Sequence, residues 1–401
     1  MTNDVFTLTE DKTLIPVNPS HSLRCWAEID LDALASNLQR IRSLHENKPL
    51  IAVVKADAYG HGLFAVTRRL AREKVRAFAV ANLQEAAVAS RAAPESDILI
   101  LGPLLPNEIE GVFRCPRWIP TLSCRSEFEK LERTAARLKK TARVHLKLDT
   151  GMGRAGDFSE QLFKLVQRIR LSRRVILDGL YSHLARAETD PKMSLHQLTE
   201  FKFFCRRVAL EGIPVSRIHF ENSAGTLLWC DHEKISDPDR SLRPGLALYG
   251  VASPLGAWRK QFGVRPLHPV LSWKTRVALV REMPAGSVIS YGATFRTRAR
   301  TRVAVLSAGY ADGIFRKLSN RGEVLIRGKR RRILGRVTMD MTMVDVTRPP
   351  QIRWGDPATL IGRDGRDEIT ASEVAEWAET NPYEILCNIS KRVPRITVNE
   401  K

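Results

Sequence analysis

Residues 52–62 read Ala52-Val53-Val54-Lys55-Ala56-Asp57-Ala58-Tyr59-Gly60-His61-Gly62. A short β-branched run stops on a lysine, and an aromatic and glycine-rich turn follows at once. An amine at the mouth of a hydrophobic strand is partly desolvated, which disfavours its charged form and makes it a better nucleophile. Such a lysine condenses with aldehydes. Tyr59 lies four residues on, within reach of a phosphate across one turn. Gly60 and Gly62 let the backbone come close to a ligand. The bland alternative is a strand end whose lysine packs its stem and keeps its head in water.

Around this stretch the chain alternates strand and helix from Cys25 to Gly250. Candidate strands are Leu50–Val54, Ala77–Val80, Asp97–Leu101, Arg117–Leu122, Val144–Leu148, Leu177–His183, Arg217–Glu221 and Gly245–Tyr249. Helical segments such as Gly62–Glu73, Ser159–Leu171 and Ser194–Glu211 separate them. That rhythm predicts a closed parallel barrel. An open doubly wound sheet is weakened by the lack of a G-x-G-x-x-G after the first strand. The rhythm stops in Val251 to His268, a Gly-, Pro- and Arg-containing linker. Short β runs then follow, at Leu271–Val280, Ser287–Ser290, Arg302–Ser307, Glu323–Ile326, Ile333–Val337, Met341–Val346 and Ala358–Ile361, with one helix at Ala371 to Thr380. The expected organisation is an α/β chain. It has a poorly ordered extension over 1–22, a (β/α)8 TIM-type barrel over 23–255 and a mainly β C-terminal domain over 256–401.

The chain has 401 residues, 43% of them hydrophobic, enough for a sizeable core. It has no apolar run of the roughly 18 residues needed to span a bilayer, so no membrane role is expected. The N-terminus lacks a basic start followed by an apolar stretch, which speaks against a secretory signal. Six cysteines, at 25, 115, 124, 205, 230 and 387, show no metal spacing. They fit reduced thiols in a cytoplasm and no metal site. The formal charge of +20 attracts anionic ligands. Without a recognisable nucleic-acid motif, it predicts no specific nucleic-acid partner. The densest basic cluster, Arg327-Gly328-Lys329-Arg330-Arg331-Arg332, reads as a solvated hairpin tip.

In a barrel of this kind chemistry gathers at the C-terminal ends of the strands. Lys147-Leu148-Asp149-Thr150-Gly151-Met152-Gly153-Arg154 ends one and delivers a guanidinium suited to a carboxylate or phenolate. Tyr181-Ser182-His183 ends another, where a lone histidine is more often a packed core residue than a functional one. Asn222-Ser223-Ala224 offers a hydroxyl and backbone N–H groups, though Asn-Ser turns are common. Arg243-Pro244-Gly245 supplies an arginine and a backbone N–H. Ser290-Tyr291-Gly292-Ala293-Thr294 lies in the β region.

In this order the motifs resemble the alanine racemase family from about Cys25 to Arg395. The resemblance implies a pyridoxal 5'-phosphate (PLP) enzyme, an isomerase that interconverts L- and D-alanine and supplies D-alanine for peptidoglycan. Lys55 would carry PLP and act as one catalytic base, with Tyr291 as the opposing base. Tyr59, Ser223, Gly245 and Tyr383 would hold the phosphate. His183 would pack on the ring, and Arg243 would donate to its nitrogen. Arg154 would hold the phenolic oxygen and steer the substrate, braced by Lys147, a candidate carbamylation site. Met339 and Asp340 would contact the substrate carboxylate, and Glu188 and Tyr310 would line the entrance. A cytoplasmic homodimer with shared active sites is implied. Glu188, Thr338, Asn381 and Lys391 depart from the commonest family pattern, which bears on entrance shape and substrate breadth. A broad-specificity or serine racemase stays open. A barrel decarboxylase fits less well, because its glycine-rich phosphate loop and acidic ring partner are missing. A noncatalytic PLP-binding barrel would lack the second domain.

Overall fold

A computed structural model of the chain describes residues 23–228, 240–251 and 267–400, together with the short strands Thr7–Leu8 and Leu14–Ile15, which pair antiparallel. The rest of the expected extension, residues 252–266 of the linker and the expected boundary at 255/256 lie outside the described residues. The chain divides into two compact units, one of residues 1–32 and 269–401, the other of residues 33–268.

The second of these is an eight-stranded parallel sheet whose strands follow chain order. The strands are Ala52–Val53, Ala77–Val80, Asp97–Ile100, Trp118–Leu122, Ala142–Lys147, Val175–Tyr181, Arg217–His219 and Arg240–Ser241. Ile51 N donates to Leu242 O at 2.7 Å and Val53 N to Pro244 O at 2.9 Å, so the last strand returns to the first and the ring closes. Three consecutive strands, Ala77–Val80, Asp97–Ile100 and Trp118–Leu122, are buried at every position, because helices cover the face opposite the barrel interior. The covering helix Leu83–Ala92 begins at Asn82, whose side chain accepts from Glu85 N.

The expected eighth strand at Gly245–Tyr249 is instead a 3₁₀ turn, Leu246–Tyr249, and the strand is Arg240–Ser241. Leu246, Ala247, Leu248 and Tyr249 are all buried, and a short run buried all round has no period that separates strand from helix. The true strand is polar because Arg240 is buried in an ion pair with Glu221.

The other unit is built on one long strand, Leu271–Met283, with alternating burial over its first half. It pairs antiparallel with Thr301–Leu306, with Pro357–Asp364 and with Cys25–Asp30. Cys25–Asp30 therefore belongs to this β sheet and not to the barrel, and Arg395–Val398 pairs beside it in parallel. The basic cluster also departs from a solvated tip. The turn is Arg327-Gly328, and Lys329–Arg332 is itself a strand paired with Glu323–Ile326. Arg330 bonds Glu323, Asp367 and Glu373, while buried Arg331 donates to Arg348 O at 2.7 Å. Arg330 and Arg331 thus have protein acceptors, while Arg327, Lys329 and Arg332 are exposed.

Candidate active site

Lys55 stands at the C-terminal end of the first barrel strand and opens a turn of unusual hand. Ala56, Asp57, Ala58 and Tyr59 have φ of 54°, 53°, 54° and 54°, a left-handed turn made without glycine. Left-handed geometry costs roughly 1–2 kcal/mol per L-residue, so the turn must be held from outside. Glu85 does part of this: its carboxylate accepts from Ala56 N at 2.7 Å and Ala81 N at 2.8 Å. Asp57 accepts from Leu63 N at 2.7 Å. His61 Nδ1 lies 3.0 Å from Ala58 O and 2.9 Å from Tyr59 O, so this nitrogen carries the proton. The result is a fixed departure direction for Lys55 and a buried Tyr59 whose ring lies 5.1 Å from that of Tyr249.

Tyr59 lies against Gly245, and Gly245 bonds Ser223. A Cβ on Gly245 would lie 2.4 Å from the Tyr59 hydroxyl, so only glycine leaves room there. Ser223 Oγ accepts from Gly245 N at 2.9 Å and Ala247 N at 3.2 Å. Two hydroxyls and two backbone N–H groups thus converge, a donor set suited to a phosphate.

Arg243 is buried, and each donor can be followed. Nε donates to His219 Nδ1 at 3.0 Å, Nη1 to His183 Nδ1 at 3.0 Å, and Nη2 to Ser182 O at 2.7 Å and Phe220 O at 3.3 Å. A guanidinium has five N–H bonds. One, on Nη1, has no partner among the described residues. Burial pushes the Arg243 pKa down to about 10, which leaves the group charged at neutral pH. Burial, then the nearby cations Arg243, Arg154, Lys147 and Lys55, hold His183 well below the usual imidazole value.

Lys147, Tyr181 and His219 lie side by side in register across three strands. Burial, opposed by Asp149 and aided by Arg154 and Arg243, lowers the Lys147 amine to about 8. Its ammonium donates to Ala155 O. Asp149 then organises the loop to Arg154 by accepting from Gly151 N at 2.9 Å, Met152 N at 2.8 Å and Gly153 N at 2.9 Å. Burial raises its pKa, but these bonds and Lys147 outweigh that and keep it depressed. Arg154 itself is exposed, and Glu188 sits in the turn after the Val175–Tyr181 strand.

The remaining expected residues belong to the β unit. Tyr291 is 72% exposed and follows Ser290, whose Oγ donates to Arg336 O at 2.6 Å. Tyr310 and Met339 are neighbours: Tyr310 N donates to Thr338 O at 2.9 Å and Ala311 N to Met339 O at 3.0 Å. Asp340 pairs with Arg392 at 2.7 Å, and Arg392 also grips Asp312. Tyr383 is an exposed residue of the helix Pro382–Cys387.

Glu85, His145, His219 and Asp178 lie outside the motifs. His145 is legible all the same, because side chains alternate along a strand and His145, two before Lys147, shares its inward face. Glu85 carries no such signal, since its partners are backbone groups. Among the described residues no cluster of His, Cys, Asp or Glu could hold a metal ion, and no helix is long and apolar enough to cross a membrane.

Family models for the alanine racemase N-terminal domain and C-terminal domain match residues 29–253 and 270–397. The chain is 40% identical to an alanine racemase of Carboxydothermus hydrogenoformans over 93% of this chain and 99% of that one. The crystal structure of alanine racemase from Bacillus anthracis with bound L-Ala-P superposes with a TM-score of 0.85 at 33% identity, covering 94% of this chain and 96% of that one. The alanine racemase of Bartonella henselae with covalently bound pyridoxal phosphate gives 0.81 at 30% identity, covering 94% and 100%. The chain belongs to the alanine racemase family.

Proposed function

We propose that this protein interconverts L- and D-alanine with PLP, using Lys55 and Tyr291 as bases on opposite faces of Cα. The observation that carries the reading is Lys55 on its held left-handed turn, next to the cradle of Tyr59, Ser223 and Gly245. That donor set and the spare N–H of Arg243 fit PLP. The cradle would hold its phosphate, with Tyr383 as a further phenol, and Arg243 would meet its ring nitrogen. His183 would pack on the ring, and Arg154 would take the phenolic oxygen. When bound, PLP supplies an electron sink for the pair left at Cα. Lys55 would hold the group covalently, and its free amine would move the proton at one face. The Tyr291 oxygen moves it at the other. Arg243 cannot surrender a proton to the ring nitrogen, which limits electron withdrawal and favours return of the proton to Cα.

A Lys147 amine lowered to about 8 keeps a neutral fraction at pH 7 that can combine with CO2, releasing a proton and leaving a carbamate to brace Arg154. Because the Asp340 carboxylate is already paired with Arg392, contact with the substrate carboxylate falls to the backbone N–H groups of Met339 and Asp340. Tyr291, Tyr310, Met339 and Met341 are all exposed large side chains of the β unit, available to a partner. In the homodimer we propose, the β unit of one copy serves the barrel of the other, Tyr291 acts in trans, and Tyr310 and Glu188 line the entrance. A cytoplasmic enzyme of this activity supplies D-alanine for peptidoglycan.

Tyr291→Phe in heavy water tests the two-base reading. Deuterium entry from L-alanine should fall on the order of a hundredfold or more, while exchange from D-alanine through Lys55 persists. Equal loss in both directions would refute it.

A further inference from the structure

Behind Arg243 three ionisable side chains form one hydrogen-bond chain through the barrel interior. Arg243 Nε reaches His219 Nδ1 at 3.0 Å, His219 Nε2 reaches His145 Nδ1 at 3.0 Å, and His145 Nε2 reaches Asp178 Oδ2 at 3.1 Å. The direction of every link follows from the ends. A guanidinium only donates and an ionised carboxylate only accepts. His219 Nδ1 must therefore offer a lone pair, so its proton sits on Nε2. That proton goes to His145 Nδ1, and the proton on His145 Nε2 goes to Asp178. Both imidazoles are neutral Nε2–H tautomers, with no second arrangement that satisfies all three links.

The rings are built into place. Tyr181 stacks on His219 with centroids 4.6 Å apart and planes 12° apart. A Cβ on Gly179 would lie 2.5 Å from His145 Nε2, so glycine makes the space for that ring. Asp178 is gripped by Arg143 at 2.9 Å, and Arg143 also holds Asp97. The carboxylate end is thus as rigid as the guanidinium end.

We propose that Asp178 and His145 are positioning residues. Through His219 they fix the tautomer that Arg243 must meet, and so the rotation of the guanidinium and the direction of its one spare N–H. The proposal rests on the reading of Arg243 as the donor to the ring nitrogen of PLP. Without Asp178 the histidine pair could reverse its polarity, turning a proton on His219 Nδ1 against the Nε–H of Arg243.

The first test needs no cofactor. Two-bond nitrogen–proton spectra of the full-length, 15N-histidine-labelled protein should give His219 and His145 as neutral Nε2–H tautomers. An imidazolium or an Nδ1–H form at either position overturns the proposal. The second test cuts the chain. Asp178→Asn also disturbs Arg143, so His145→Phe, which spares that ion cluster, is its companion. In a folded His145→Phe protein an Nδ1–H fraction should develop on His219, and the visible band of bound PLP should shift. Outer partners that orient an acting group contribute roughly 10–100-fold in metal sites. Here kcat should fall on the order of tenfold, with KM for alanine nearly unchanged. Wild-type His219 tautomer, PLP band and kcat in that variant would refute the positioning role. Failure of the underlying reading looks different: an Arg243→Gln protein would keep the wild-type PLP band while the tautomers of the unaltered protein stay as predicted.

Discussion

Acidification below pH 6.5 should destabilise this protein through its histidines before its carboxylates matter. His145 and His219 are completely buried. Burial pushes both below the usual imidazole value, His219 well below, and at His145 the opposing pull of Asp178 does not cancel it. Both stay neutral in the fold, whereas in the unfolded chain they take up a proton near 6.5. Below that pH the unfolded state binds more protons, so stability falls as pH falls. Each group contributes at most about 1.4 kcal/mol per pH unit, approached once the pH lies well below 6.5 and ending where its folded value is reached. The loss grows as pH falls from 6.5 until each folded value is reached, and it is drawn from the roughly 5–15 kcal/mol that holds a domain together. Asp178 acts in a separate window. Burial raises its pKa, but His145 and Arg143 more than reverse this and hold it at about 2. Its contribution is present above the unfolded carboxylate value of about 3.9 and is lost only as pH falls from there. Urea unfolding at fixed protein concentration from pH 7.5 to 5 gives the slope directly. His219→Gln should lower the slope by about one proton, even if it lowers stability at every pH. A flat profile from pH 6.5 to 5.5, or a slope unchanged in His219→Gln, would refute the reasoning.

Borohydride treatment of the PLP-loaded protein should fix the group on the peptide containing Lys55, and Lys55→Ala should be colourless; full activity in that colourless variant would contradict the role. Mixing inactive Lys55→Ala and Tyr291→Phe subunits should restore one competent site per heterodimer, and verified exchange without recovery would exclude shared sites. Glu85→Ala strips an acceptor from Ala56 N and Ala81 N and should lower stability by about 1–3 kcal/mol in urea titration while speeding PLP release.

Much of the fold is legible because period and length speak for it. Ala77–Val80 and Glu323–Ile326 are strands at the expected residues, since apolar runs between turn signals leave little choice. The eighth barrel strand is not legible, because Arg240–Ser241 has no apolar run and is buried by an ion pair with a residue nineteen positions away. Cys25–Asp30 joins the distant strand Leu271–Met283, and pairing over such a separation leaves no local trace. At the site, Lys55, Tyr59, Ser223, Arg243 and Gly245 can be read from motifs. The left-handed turn cannot, because Ala56, Asp57, Ala58 and Tyr59 have no intrinsic preference for it and depend on Glu85 and His61 to hold it. Asp178 is hidden for the same reason: its partners His145 and Arg143 lie on the neighbouring strand, 33 and 35 residues away.

The most direct measurement incubates the purified protein with PLP and each L-amino acid in turn and follows the D-enantiomer. D-alanine should form from L-alanine until the two are equal, faster than any other pair, and Lys55→Ala should form none. A PLP-loaded protein that yields no D-alanine, or a Lys55→Ala protein that yields it at the wild-type rate, would contradict the account.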